Sequence, residues 1–174
     1  MNKRVLLPSI CYAILASVHM PVIADDKPMD VFAPLLGNWT TRSVTKPSLN
    51  APKQRTGTGE FTAKLILGGK FIRLEGNSSS TTQKQTNFEV IMTYDQRKQV
   101  YRRWVYRADG FTAESTGVWN AERKTMVWSA IGLPKGMTFT ITSTIKKEHL
   151  ELTMFGKNAD GTILMDVRIT SRWK

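Results

Sequence analysis

From Trp39 to Trp173 the chain places an apolar residue at every second position, in one short run after another. Phe61, Ala63, Leu65 and Leu67 alternate with Glu60, Thr62 and Lys64, and Phe88, Val90, Met92 and Tyr94 make the next face. Met137, Phe139, Ile141 and Ile145 alternate with Thr138, Thr140, Thr142 and Thr144. Leu150, Leu152 and Met154 oppose Glu151 and Thr153, and Ile163, Met165, Val167, Ile169 and Trp173 share the last face. Successive side chains of a strand point to opposite sides, so a period of two predicts strands with one buried face. The abundance of Thr and Val agrees. Gly68-Gly69, Asp95-Gln96, Asp109-Gly110, Asn120-Ala121 and Asn158-Ala159-Asp160-Gly161 fall between runs at hairpin spacing.

This reading gives about ten consecutive antiparallel strands, whose edges must be hidden. An all-β, up-and-down β-barrel does that by closing on itself, and a two-sheet sandwich is the alternative. Asn77 to Asn87 is polar and rich in Ser, Thr and Gln, and reads as a long, mobile hairpin tip. Before the strands, Met29, Phe32 or Ala33, and Leu36 recur at helical spacing. Pro28 and Pro34 keep that helix short, and it is expected to cover one mouth of the barrel.

The first residues carry a different pattern. Asn2-Lys3-Arg4 open the chain, Val5 to Ala24 hold no charged residue, and Val22-Ile23-Ala24 precede Asp25-Asp26. This is the pattern of a secretory signal peptide over residues 1–24, leaving one domain over 25–174. The apolar run is also about long enough for a membrane anchor, but Pro8, Pro21 and the cleavage-site pattern favour removal. Cleavage after Ala24 predicts a secreted or periplasmic protein with no transmembrane segment. The only cysteine, Cys11, leaves with the leader, so no disulfide is expected. Lys3 and Arg4 leave too, so 23 basic residues face 14 acidic ones, a net charge of +9. Such a charge draws anionic partners from a distance.

The ordered set Leu35-Leu36-Gly37-Asn38-Trp39, Gly57-Thr58-Gly59-Glu60 and Ile66-Leu67-Gly68-Gly69-Lys70-Phe71-Ile72 resembles the bacterial family known as domain of unknown function 1579. The resemblance continues through Tyr94-Asp95, Tyr101, Trp104, Gly117, Asp160-Gly161 and Thr170-Ser171-Arg172. It implies a calycin-like barrel, related in architecture to lipocalins and fatty-acid-binding proteins, and no established activity. Two positions depart from the pattern: Thr93 stands where Gly is usual, and Tyr106 where Asp is usual. By the same analogy, Arg172 is expected to stack over Trp39 and seal one end. Trp39 itself reads as a plug whose indole N–H needs one partner. Gly68-Gly69 suits a turn with positive φ, after which Phe71 is expected to restart the buried face.

Arg97 to Arg107 is the segment with most functional character: Arg-Lys-Gln-Val-Tyr-Arg-Arg-Trp-Val-Tyr-Arg. Alternation puts Arg102, Trp104 and Tyr106 on one face and Tyr101, Arg103, Val105 and Arg107 on the other. Either face carries an arginine among aromatics, which is how a ligand barrel holds an anionic head while apolar walls hold its tail. Arg102 is preferred because two aromatics share its face. Trp104 and Tyr106 would join Phe88, Tyr94, Trp119 and Trp128 around a small apolar or amphipathic, anionic ligand. In the competing reading, arginines on strands run out to solvent over aromatic surface. The barrel is then filled by its own side chains, and its basic surface docks to an acidic envelope polymer or a protein. Ala63, Ala113, Ser115, Gly117, Ala130 and Ser143 decide between the two: clustered at one height they leave a cavity, and each opposite a large aromatic they do not.

Basic residues among aromatics can also bind nucleic acid, but an exported protein is not expected to meet it. Enzyme chemistry has little to stand on. Without the leader, His149 is the one histidine and there is no cysteine, too few for a zinc site. Alternation sends His149 outward with Glu151, which disfavours a Ser-His-Asp or haem site. No catalytic residue, cofactor or metal is expected. Gly57-Thr58-Gly59 leads into a strand rather than a helix, so it is no phosphate loop. Glu114 and Asp166 could serve as an acid–base pair only if they met.

Overall fold

The computed structural model describes residues 27–174. The expected leader and its cleavage site lie outside the described residues. A short 3-10 helix, Pro28–Leu35, leads into β1 (Gly37–Thr45), β2 (Arg55–Ile66), β3 (Phe71–Ser80), β4 (Gln83–Asp95) and β5 (Val100–Arg107). Then come β6 (Thr112–Asn120), β7 (Thr125–Ala130), β8 (Thr138–Lys146), β9 (His149–Lys157) and β10 (Ile163–Trp173). Each strand pairs antiparallel with its neighbours in sequence, and β1 pairs with β10 from Trp39↔Trp173 to Thr45↔Val167, closing the barrel. The up-and-down barrel read from the period of two is the observed architecture, and the sandwich is not.

The two ends differ. At one end the connections are short: 67–70, 96–99, 121–124 and 147–148. Each contains a non-glycine residue with positive φ, namely Leu67, Gln99, Lys124 and Glu148. The helix covers this closed end. Its Phe32 and Leu35 are buried in the barrel core, and Tyr101 Oη donates to Pro28 O at 2.9 Å. Trp39 is fully buried, its Nε1 donates to Leu35 O at 2.8 Å, and its ring stacks on Phe61 at 5.9 Å. Trp39 is thus the plug the sequence suggested. Arg172 does not seal it: Arg172 lies opposite Thr40, on the outer face, and Trp173 is the residue that covers Gly37. A Cβ on Gly37, whose φ is +113°, would lie 2.5 Å from Trp173 Nε1.

Three local expectations need correction. The polar 77–87 stretch is not a loop. Strands β3 and β4 run on to Ser80 and Gln83 and turn through 81–82, because the backbone ladder continues where the side chains have no core to fill. Ile72, not Phe71, re-enters the core, since the turn at Leu67 to Lys70 shifts the phase. Leu65 and Leu67 are exposed, one near the end of β2 and the other in the turn that follows it.

Candidate functional site

Register decides which arginine enters the barrel. The four-residue turn 96–99 sets Tyr94 opposite Tyr101, so Met92 faces Arg103, and Arg103 in turn faces Ser115 on β6. The inward side of β4 (Phe88, Val90, Met92, Tyr94) therefore continues as Tyr101, Arg103 and Val105 on β5. Arg102, Trp104 and Tyr106 point outward. Arg102 ion-pairs with Glu114 and with Asp95, the latter at 3.8 Å, and its guanidinium lies 5.1 Å from the Trp104 ring centroid. It is committed to its own surface, and Tyr106, four residues further along the same face, is exposed. Of the other expected site residues, Tyr94, Trp119 and Trp128 do face the interior. Tyr94 packs edge-on to Tyr101 at 4.9 Å, Trp128 stacks on Phe32 at 6.4 Å, and Trp119 packs against the core beside Met126.

Arg103 is the interior cation. It lines a cavity of about 60 Å³ with Phe32, Leu74, Met126, Trp128 and Ser143 among the walls. Part of its surface remains accessible, yet loss of hydration dominates its electrostatics and pushes its pKa down to about 10. Among the described residues no carboxylate pairs with it. Glu60 is held by Lys174, Glu75 and Glu89 by Arg73, Asp109 by Arg107, Glu151 by His149 and Asp166 by Lys46, all on the outer wall or in turns. Glu114 and Asp166 never meet, being on β6 and β10 with separate partners. His149 faces outward, its Nε2 3.1 Å from Glu151 Oε1, as alternation predicted.

The small inward residues divide between the two outcomes set for them. A Cβ on Gly117 would lie 2.5 Å from Trp128 Cε3, so that space is already filled by an aromatic. Ser115 lies next to Arg103 and Ala113 next to Val105 on the same face, and Ala130 follows one strand further on, opposite Ser115. They thin the wall on one side of the guanidinium. Toward the open end the inward residues Phe88, Val105, Phe139 and Met154 are only half-buried. A polar end inside an apolar sleeve is an arrangement suited to holding an anion by one end. Among the described residues no cluster of three or more His, Cys, Asp or Glu side chains could hold a metal ion, and no helix is long and apolar enough to cross a membrane.

Residues 26–172 match the family described as protein of unknown function (DUF1579). The chain belongs to that family. No curated protein was found as a relative. Among solved structures, it is similar to Rv2717c from M. tuberculosis, at 12% identity over 84% of this chain and 98% of that one, with a TM-score of 0.63. At that identity the likeness shows the fold alone. A designed fluorescence-activating β-barrel (12% identity, covering 83% of this chain and 98% of that one) superposes with a TM-score of 0.46. A barrel solved bound to DFHBI (8% identity, 84% and 98%) gives 0.47.

Proposed function

We propose that this DUF1579 barrel binds a small amphipathic anion, with its charged head on the Arg103 guanidinium and its apolar part toward the open end. One observation carries this reading: a guanidinium without a carboxylate partner inside an apolar interior. An unpaired buried cation is costly, and an arriving anion relieves the cost. The cavity beside Arg103 holds about 60 Å³, room for about two water molecules, so only the head enters it. The tail lies along Val105, Phe88, Phe139 and Met154, where the wall is still accessible.

The test is titration with dodecanoate and, as a neutral control, dodecanol, followed by intrinsic tryptophan fluorescence in the wild type and in Arg103→Met. Dodecanoate should bind, dodecanol should bind at least about tenfold more weakly, and Arg103→Met should abolish the difference, since a charge-assisted hydrogen bond contributes about 1.5–3 kcal/mol. Equal binding of acid and alcohol to the wild type would refute the reading. Export belongs to the same proposal, because the leader pattern would deliver the barrel to an envelope compartment. N-terminal sequencing of the chain recovered from its own cells should begin at Asp25, and an intact Met1 would reject it.

A further inference from the structure

A second cationic site lies on the opposite side of the sheet from Arg103. On the outer face, the pairing of β9, β10 and β1 brings His149, Arg172 and Thr40 into one row, and Glu151, Thr170 and Arg42 into the next. Thr40, Arg42, His149, Thr170 and Arg172 line a cleft of about 400 Å³. The Thr40 hydroxyl donates to Arg172 O at 3.4 Å, tying the two strands at the cleft floor. Among the described residues neither the Arg42 nor the Arg172 guanidinium has an ion-pair partner. The adjacent carboxylates already have partners: Glu151 is held by His149 of the cleft itself at 3.1 Å, and Glu60 by Lys174 at 2.6 Å. The His149 hydrogen bond, and after it the charges of His149, Arg168 and Lys146, hold the Glu151 carboxyl below its usual range.

We propose that this outer-wall cleft binds a phosphate monoester, seated between Arg42 and Arg172 with the Thr170 hydroxyl as a further donor and with Thr40 and His149, each held by a partner within the chain, forming the walls. The donor set selects the ligand. Two planar guanidinium forks and the Thr170 hydroxyl supply more hydrogen bonds from more directions than the two oxygens of a carboxylate can accept. A phosphate monoester brings three terminal oxygens and a charge of about −1.5 to −2 at neutral pH, and arginine forks match its geometry in pairs. The cleft exceeds the volume of the phosphate group, so the esterified part of the ligand also has a place. The site shares no residue with the barrel interior, and its ligand is independent of Arg103.

The experiment is calorimetric titration of the protein with glycerol phosphate, with sulfate at matched ionic strength as control, in four proteins. These are the wild type, Arg42→Ala/Arg172→Ala, Arg42→Lys/Arg172→Lys, and Arg103→Met. The wild type and Arg103→Met should bind glycerol phosphate alike. The alanine pair should lose at least about tenfold, and the lysine pair should lose several-fold although its charge is unchanged, because the paired hydrogen bonds are gone. Arg42 and Arg172 are exposed, so their replacement leaves the core intact, and an unchanged circular-dichroism spectrum in each variant, the interior Arg103→Met included, keeps the comparison valid. Sulfate bound as tightly as glycerol phosphate, or a lysine pair indistinguishable from wild type, would mean only diffuse attraction to a basic surface and would overturn the proposal. A last arm uses phosphatidylcholine vesicles containing phosphatidate. Vesicle binding that inorganic phosphate displaces identifies a lipid head as the source, and binding of glycerol phosphate alone identifies a soluble ester.

Discussion

Replacing Arg103 by methionine should make the ligand-free protein more stable. Burial depresses the arginine pKa well below its usual value, to about 10. At about 1.4 kcal/mol per tenfold change in proton affinity, the charged guanidinium costs the fold about 3 kcal/mol. The sign follows from the direction of the shift. A base whose folded pKa is lowered carries its full penalty at any pH below the folded value, so the cost is complete at neutral pH and fades only as pH rises through about 10. Methionine keeps much of the side-chain length without the charge, and swaps of buried ions for apolar residues commonly stabilise by about 1–4 kcal/mol. The loss of arginine's packing offsets part of this, leaving an expected gain of about 1–3 kcal/mol. Urea denaturation would read it as a midpoint raised by about 1 M at unchanged slope, with typical slopes of about 1–3 kcal/mol per molar. A midpoint lowered by the substitution would show that the guanidinium has stabilising partners within the chain, and the argument for an anion seat would fail.

Other substitutions probe the frame. Trp39→Ala should cost about 3–5 kcal/mol, as for other large buried aromatics, and an unshifted denaturation midpoint would show that it is no plug. Gly117→Ala should cost about 1–3 kcal/mol, because its methyl would run into Trp128; wild-type stability would mean that the indole swings aside freely. The Glu60 carboxyl is held below its usual range, first by the hydrogen bond and charge of Lys174, then by Asn77. Its contribution is present above the ordinary carboxylate pKa and is lost as pH falls through the lowered value. Glu60→Gln should therefore flatten the acid side of a stability-against-pH curve, and an unchanged slope would exclude the pair as a contributor.

The period of two was enough for the architecture, because a strand with one buried face is recorded directly in alternating side chains. It identifies Phe88 to Tyr94 and Leu150 to Met154 correctly, while the plug Trp39 follows from its place at the start of the first strand. It could not choose between Arg102 and Arg103. Both are arginines on the same strand with aromatics for neighbours, and only the length of the 96–99 turn fixes which one follows Met92 inward. The same limit misplaced Phe71, one residue out of phase after the Leu67 to Lys70 turn. The 77–87 hairpin was misread for another reason. Its side chains are polar on both faces, so composition pointed to a loop, while the structure there rests on backbone pairing that composition does not report. The outer cleft of Arg42, Arg172 and His149 is invisible for a third reason: Arg42 lies more than 100 residues from the other two and meets them only through the β1–β10 seam.

That seam also sets when the molecule can form. Thr40 and Arg172 touch across a separation of 132 residues, and a barrel is complete only when its first and last strands meet. Nine strands without β10 leave two bare edges, one on β1 and one on β9, each able to pair with another chain. Contacts this distant make folding slow, since ordering must precede the reward of closure. A chain interrupted anywhere before residue 163 is therefore not a slightly weaker version of this protein but an adhesive one. Ribosomal stalling, proteolytic nicking or premature termination near the C-terminus should yield aggregates rather than a smaller soluble fold.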